Sequence, residues 1–277
     1  MATLAVLQMT STDDVEKNLA TVRALVERAA ARGASVVVVP ECFAFLGEHD
    51  GDVLRVAEPL SGPLFARYRA IAEEHGVVVC YGGFPERVPD VEKTFNAHVV
   101  VDERGEIRAH YRKIHLFDLD IEGGPRLLES KATAPGDRLV TTSSPVGTLG
   151  LAVCYDLRFA ELFLGYRRAG ADVILVPAAF TLTTGKEHWE VLLRARAIET
   201  QCYVAAAAQR GRHNARRESF GHAMVVDPWG SVVAQCHDDT GLAIAEIDPA
   251  WTKSVRARLP VMEHRRPAAY ERHTREG

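Results

Sequence analysis

The 277-residue sequence predicts an α/β protein, a four-layer α-β-β-α sandwich with an internal pseudo-twofold duplication, and three correspondences between its halves carry that reading. GASVVVVPE at 33–41 returns as GADVILVPA at 170–178. The pattern F-x-x-x-x-V-V-D-x-x-G at 95–105 returns at 220–230, and between these landmarks VVVCYGG at 77–83 corresponds to CYVAAAA at 202–208. Duplicated β-α-β-α-β units followed by hairpins place two sheets face to face, with helices on the outer faces.

In chain order, Leu4 to Gln8 reads as a short buried strand, and Asp13 with Glu16 offers a capping box for a helix ending near Gly33. Val15, Leu19, Val22, Val26 and Ala29 supply that helix with an apolar face. SVVVVPE is a β-branched run of the kind found in a strand buried on both sides, stopped by Pro40 just before Glu41. A second helix over about 61–75 leads to VVVCYGG, and FNAHVVVDERGEIRAHYRK folds as a hairpin turning at Asp102–Gly105, with Lys113 at its far end. In the second half GTLGLAVCYDLRF is an apolar strand that breaks into polar residues and then a helix. Trp189 and the Arg196/Glu199 pair sit at helical spacing, where core packing and an i, i+3 ion pair are expected. DPWG at 227–230 is a hairpin turn, and the tail after Glu246 carries few strong periodic elements. One domain over 1–270 is expected, with 246–277 as a C-terminal extension.

Composition narrows the function. Hydrophobic residues make up 47% and charged residues 25%, enough to bury a large core. The net charge of −4 gives no global field for nucleic acid or an anionic membrane, so a small-molecule partner is expected. No apolar run reaches the length of a membrane span, and the N-terminal segment lacks the features of a signal peptide. Five cysteines without C-x-x-C spacing indicate neither a disulfide framework nor a zinc site and fit the cytoplasm. Without an H-E-x-x-H motif or a P-loop, no metal or organic cofactor is expected.

The differences between the halves locate the chemistry. Ala178 stands where the first half has Glu41, and Cys154 ends a strand whose counterpart finishes near Leu7 and Gln8. No equivalent of Lys113 follows the second hairpin. A cysteine at a strand end, with helical amides beyond it that favour the thiolate, suits a nucleophile, although a buried structural thiol is the commoner fate of a single cysteine. Cys80, Cys202 and Cys236 fit that structural role, and Cys42 is ambiguous beside Glu41. Glu41 at its own strand end suits a proton carrier, the alternative being a capping or loop acid. Lys113, among aromatic and aliphatic neighbours, suits an oxyanion partner acting with the backbone N–H of Tyr155, where a solvated lysine is the default.

PE at 40–41, YRKIHLFD at 111–118 and GLAVCYDLRF at 150–159 together resemble, in order, the three catalytic blocks of the nitrilase superfamily. The resemblance covers nearly the whole chain. It implies the duplicated sandwich, a Glu-Lys-Cys triad at Glu41, Lys113 and Cys154, and an auxiliary glutamate at Glu129 in LLES, with Glu122 as the nearby competitor. Arg158, four residues beyond Cys154, suits either a substrate carboxylate or an ion pair with Glu161 or a partner subunit. HWEVLLRARAIETQCYVAAAAQRGRHN followed by SFGHAMVVDPWG is similar to the deaminated-glutathione amidase branch, with the omega-amidase branch as nearest rival. The implied reaction opens the amide of a short anionic 2-oxo acid derivative through a thioester, releasing the acid and ammonia or an amine. A loop bearing Arg210, Arg212, Arg216 and Arg217 fits an anionic substrate, a solvated or interface loop being the alternative. The resemblance also implies a homodimer or higher homo-oligomer, with the C-terminal tail at the dimer interface. Two other classes stay open: a Cys-His hydrolase using His98, His115 or His222, and a silent binding protein on the same fold.

Overall fold

The computed structural model describes residues 2–120 and 126–270. Its first half runs β1 (Ala2–Met9), α1 (Val15–Ala31), β2 (Val36–Val39), α2 (Pro63–His75) and β3 (Val78–Glu86), followed by a hairpin of β4 (Phe95–Val101) and β5 (Ile107–Arg112). Strands β1, β2 and β3 are parallel, and β4 and β5 join them antiparallel. A small hairpin, β6 (Asp118–Asp120) and β7 (Arg126–Leu128), and then β8 (Thr141–Ser144) link to the second half. That half repeats the plan as β9 (Gly147–Leu151), α3 (Ala160–Arg168), β10 (Val173–Leu175), α4 (Leu182–Thr200) and β11 (Tyr203–Ala206), its three strands again parallel. The chain continues through β12 (Ala208–Arg212), β13 (Glu218–Phe220), β14 (Met224–Val226), β15 (Val232–Gln235), β16 (Gly241–Ile247) and α5 (Pro249–Arg258).

The two sheets are not built from separate halves. One has the order β13-β12-β1-β2-β3-β4-β5 with β16 beside β1, and the other is β15-β14-β11-β10-β9-β8. Thus β12 pairs with the last two residues of β1 and β16 pairs antiparallel along nearly all of β1, so the second half completes the sheet of the first. Side-chain alternation sorts the layers. Leu4, Val6, Val36 and Val38 pack with Leu149, Leu151, Val173 and Leu175 in one core cluster, whereas Ala5, Leu7, Val37 and Val39 pack with Leu19, Val22, Phe65 and Tyr68 of the helices in another. This is the predicted α-β-β-α arrangement.

Local details differ from the sequence reading in four places. The N-cap of α1 is Asp14 rather than Asp13, its side chain accepting from the Lys17 N–H at 3.0 Å. Two adjacent aspartates are equally good caps by composition, and only the path of the chain selects one. Leu4 pairs with Val36 and Leu149 with Val173, so the register makes Met9, not Leu7 or Gln8, the counterpart of Cys154. Residues 210–217 are not a plain loop: Arg210 and Arg212 lie in a strand of the β12–β13 hairpin. The tail is helical, with α5 followed by short helices at Val261–His264 and Pro267–Tyr270; Asp248 caps α5 and Pro249 starts it. Short helices docked on a body need no long apolar period, which is why periodicity missed them.

Within the core, His98 on β4 is fully buried, and its Nδ1 lies 2.9 Å from the Ala152 carbonyl, to which it donates. Burial pulls its pKa down from 6.5 to about 4. A histidine neutral in the fold and readily protonated when unfolded contributes stability above the unfolded value and loses it as pH falls through that window. The contribution is about 3 kcal/mol. The expected outcome is a steep loss of unfolding free energy between pH 6.5 and 4 that His98→Asn flattens, read by urea denaturation across that range.

No helix among the described residues is long and apolar enough to cross a membrane.

Candidate active site

Glu41 emerges where β2 ends at the centre of its sheet, and Pro40 cannot continue the ladder there. The chain turns at once, with Cys42 in the left-handed region at φ 58°. Across the sandwich, Cys154 opens a 3-10 turn, Cys154–Arg158, and is also left-handed at φ 48°. Such conformations are strained for residues with a Cβ and persist only where their surroundings enforce them. At Cys154 that constraint includes the bond from its N–H to the Pro177 carbonyl at 2.9 Å. Lys113 follows β5, its N–H donating to the Asn96 carbonyl at 2.9 Å, and Glu129 follows β7 with its N–H on the Phe117 carbonyl.

These four side chains meet between the sheets. Lys113 Nζ donates to Glu41 Oε1 at 2.9 Å and to the two Glu129 oxygens at 2.8 and 3.1 Å. Asn96 Nδ2 bridges the same carboxylates, 2.9 Å from Glu41 Oε1 and 3.0 Å from Glu129 Oε1. The Ala179 N–H donates to Glu41 Oε2 at 3.0 Å, and the Phe117 N–H to Glu129 Oε2 at 2.7 Å. Gln209 of β12 holds the Glu41 main chain by donating to its carbonyl at 3.0 Å. Glu41, Lys113 and Cys154 are 4%, 2% and 8% exposed, so the ionic groups act in a desolvated setting.

Of the two competing glutamates, Glu129 joins the cluster, and Glu122 lies outside the described residues. Other contributors escaped the sequence reading. Asn96 sat unremarked in a strand. Ala179 follows Ala178, the pseudo-counterpart of Glu41, so the second half supplies a backbone amide where the first supplies a carboxylate. The paired Gly82 and Gly83 were a usable signal, since glycine inside a strand marks close backbone approach. A Cβ at Gly82 would lie 2.0 Å from Pro177 Cβ, and one at Gly83 would lie 2.7 Å from Asn96 Oδ1 and 2.9 Å from Glu41 Cγ.

Two carboxylates and one ammonium leave the pocket with one net negative charge. Burial alone would lower the Lys113 pKa, but the charges of Glu129 and Glu41 outweigh it and hold the ammonium well above the ordinary lysine range. Burial, then the negative charge of Glu41, pushes the Cys154 thiol well above the ordinary thiol range; Lys113 opposes this only in part. The expected thiolate-favouring helix is therefore corrected: α3 starts at Ala160, and the turn at Cys154 is too short to offset a buried carboxylate. Cys154 therefore rests as a neutral thiol in the field of the Glu41 carboxylate.

Asp156 ties together the turns that carry Cys154 and Lys113. It is fully buried and accepts from the Tyr111 hydroxyl, the Val153 N–H and the His115 N–H and ring nitrogen, linking the Cys154 turn to the segment carrying Lys113. The Tyr155 ring packs edge-on against Phe117 and Phe159. Arg158 lies 5.8 Å above the Tyr155 ring and 5.4 Å from Phe180, with Nη1 3.3 Å from His188 Nδ1 rather than on Glu161. Arg212 pairs with Glu218 and Arg216 contacts His49, while the charge of Arg217 reaches Cys42. The three histidines of the Cys-His alternative have other partners: Ala152 for His98, Asp156 for His115, and Phe220 with Asp238 for His222.

Comparison with known proteins agrees with this geometry. The carbon-nitrogen hydrolase family profile matches residues 3–257. The chain is 49% identical over 271 residues to a deaminated glutathione amidase of Homo sapiens, covering 96% of this chain and 83% of the relative. Among solved structures, the C. elegans NitFhit protein superposes with a TM-score of 0.90 at 44% identity, over 98% of this chain and 67% of that one. Saccharomyces cerevisiae Nit3, a member of branch 10 of the nitrilase superfamily, gives 0.86 at 29% identity, over 96% of each chain. The protein is an amide-hydrolysing enzyme with the duplicated sandwich of these relatives, and the chain belongs to the carbon-nitrogen hydrolase family.

Proposed function

We propose that the enzyme cleaves the amide of a short 2-oxo acid derivative, deaminated glutathione fitting best, through a thioester on Cys154. The observation that carries the mechanism is the buried cluster in which one ammonium spans Glu41 and Glu129 beside the Cys154 thiol. Glu41 takes the thiol proton as sulfur attacks the carbonyl carbon, and the new oxyanion is held by Lys113 and the Tyr155 N–H. The tetrahedral species collapses with cleavage of the C–N bond, Glu41 returning the proton to the departing nitrogen. Water, deprotonated by Glu41, then attacks the thioester; the C–S bond breaks and the thiol recovers its proton. Glu129 positions Lys113.

Support for the substrate comes from the human relative's identity over nearly the whole chain. Deaminated glutathione carries a 2-oxo acid joined through an amide to a cysteine residue, so its leaving group is an amine rather than ammonia. Arg158, steadied by two aromatic faces and His188, supplies the cation for a substrate carboxylate. Residues 1–270 act as one catalytic domain in this reading, and 246–277 form an extension lying against a second copy in a homodimer. Five free thiols support placement in the cytoplasm.

The test is release of the acid product from deaminated glutathione, 2-oxoglutaramate, a simple aliphatic amide, an N-carbamoyl amino acid and a nitrile. The expected kcat/KM is highest for deaminated glutathione, by about tenfold or more, the worth of one further charged contact. Preference for 2-oxoglutaramate would make it an omega-amidase instead, and preference for a nitrile would overturn the amidase reading.

A further inference from the structure

Asn96 holds the site in an arrangement that is costly for the amide itself. Its Nδ2 lies between two carboxylate oxygens, while its Oδ1 is buried without a hydrogen-bond partner among the described residues. Reversing the amide would aim the oxygen lone pairs at Glu41 and Glu129, so the two acids dictate the orientation. A buried carbonyl left unmatched costs about 1–3 kcal/mol. Native folds rarely tolerate that without a return elsewhere.

That return is visible in the bonding of Glu41. Its Oε1 already receives Lys113 Nζ and Asn96 Nδ2, whereas Oε2 receives the single amide of Ala179. Oε1 is saturated, and Oε2 is the oxygen with a lone pair to spare. We infer that Asn96 is a positioning residue that assigns the proton-carrying role to Oε2 of Glu41. This rests on Glu41 acting as the base for Cys154. The main-chain carbonyl of Asn96 also fixes the Lys113 N–H, so one residue sets both ends of the Glu41–Lys113 contact. Gly83 is part of the device: a Cβ there would meet Asn96 Oδ1 at 2.7 Å and displace the amide.

The experiment is the separate measurement of kcat and KM for Asn96→Ala and Asn96→Ser, on whichever amide the wild-type enzyme turns over. Without the Asn96 donor Oε1 is no longer saturated, so the carboxylate can turn on Lys113 and the thiol proton loses its assigned acceptor. The expected result is a loss of about tenfold in kcat with KM within about threefold. Asn96→Ser, which keeps one donor, should fall between alanine and wild type. A kcat within about twofold of wild type, a loss in KM alone, or unfolding of both variants would each overturn the inference. A Cys154→Ala control separates the two levels of failure: hydrolysis surviving there would sink the proposed triad, whereas an inactive control with an unmoved Asn96→Ala kcat would sink only the role of Asn96.

Discussion

Amide hydrolysis is expected to fall by at least about 10⁴-fold in Cys154→Ala, to the level left by binding and oxyanion stabilisation alone. The fold should persist. The side chain is small and the site is braced through main chain and neighbours, by the Cys154 N–H on Pro177 and by Asp156, neither of which the substitution removes. Thermal unfolding should shift only modestly, by about 1–2 kcal/mol for a small buried truncation. Acid release and a melting curve on the same preparation check both halves of the expectation. Activity within a hundredfold of wild type in a folded variant would rule out Cys154 as the nucleophile.

Lys113→Met should damage both activity and stability. Methionine replaces the buried stem well, but the two carboxylates that shared the ammonium would face one another without a cation. Breaking a buried ion pair from one side costs about 3–5 kcal/mol, and losing an oxyanion partner costs about 10²–10³ in kcat. The stability loss should depend on pH. Like charges repel only while both are ionised, so the melting-temperature gap between Lys113→Met and the wild-type protein should narrow on acidification. The gap is the quantity to read, because the buried His98 lowers both proteins alike over the same range. An equal loss at every pH would mean that lost packing, not charge, accounts for it.

The layers and the chain order of the site were legible because they depend on local pattern. β-Branched runs, repeated turn signals and strand-end placement survive in one dimension, so the two sheets, Glu41, Lys113 and Cys154 could be proposed together. What escaped depends on three-dimensional meeting. The Ala179 amide carries no side-chain signal, and a backbone donor can be assigned only when its neighbour in space is known. Asn96 and Asp156 are ordinary polar residues until their partners, far away in sequence, are in place. The chemistry of Cys154 misled for the same reason: a nearby helix in sequence suggested a stabilised thiolate, and the carboxylate opposite it decides otherwise. Likewise nothing local marks β16 as the neighbour of β1.

That last pairing bears on how the enzyme is made. Ala2 faces Ile247 and Gln8 faces Gly241 across the β1–β16 ladder, so β1 finds its long antiparallel neighbour only after every element from α1 to β15 has been made. Until then one edge of the central sheet stands open, a hazard for pairing with other chains. The first half therefore cannot close its sheet alone, and truncation before residue 241 should yield an aggregating fragment, not a half-enzyme.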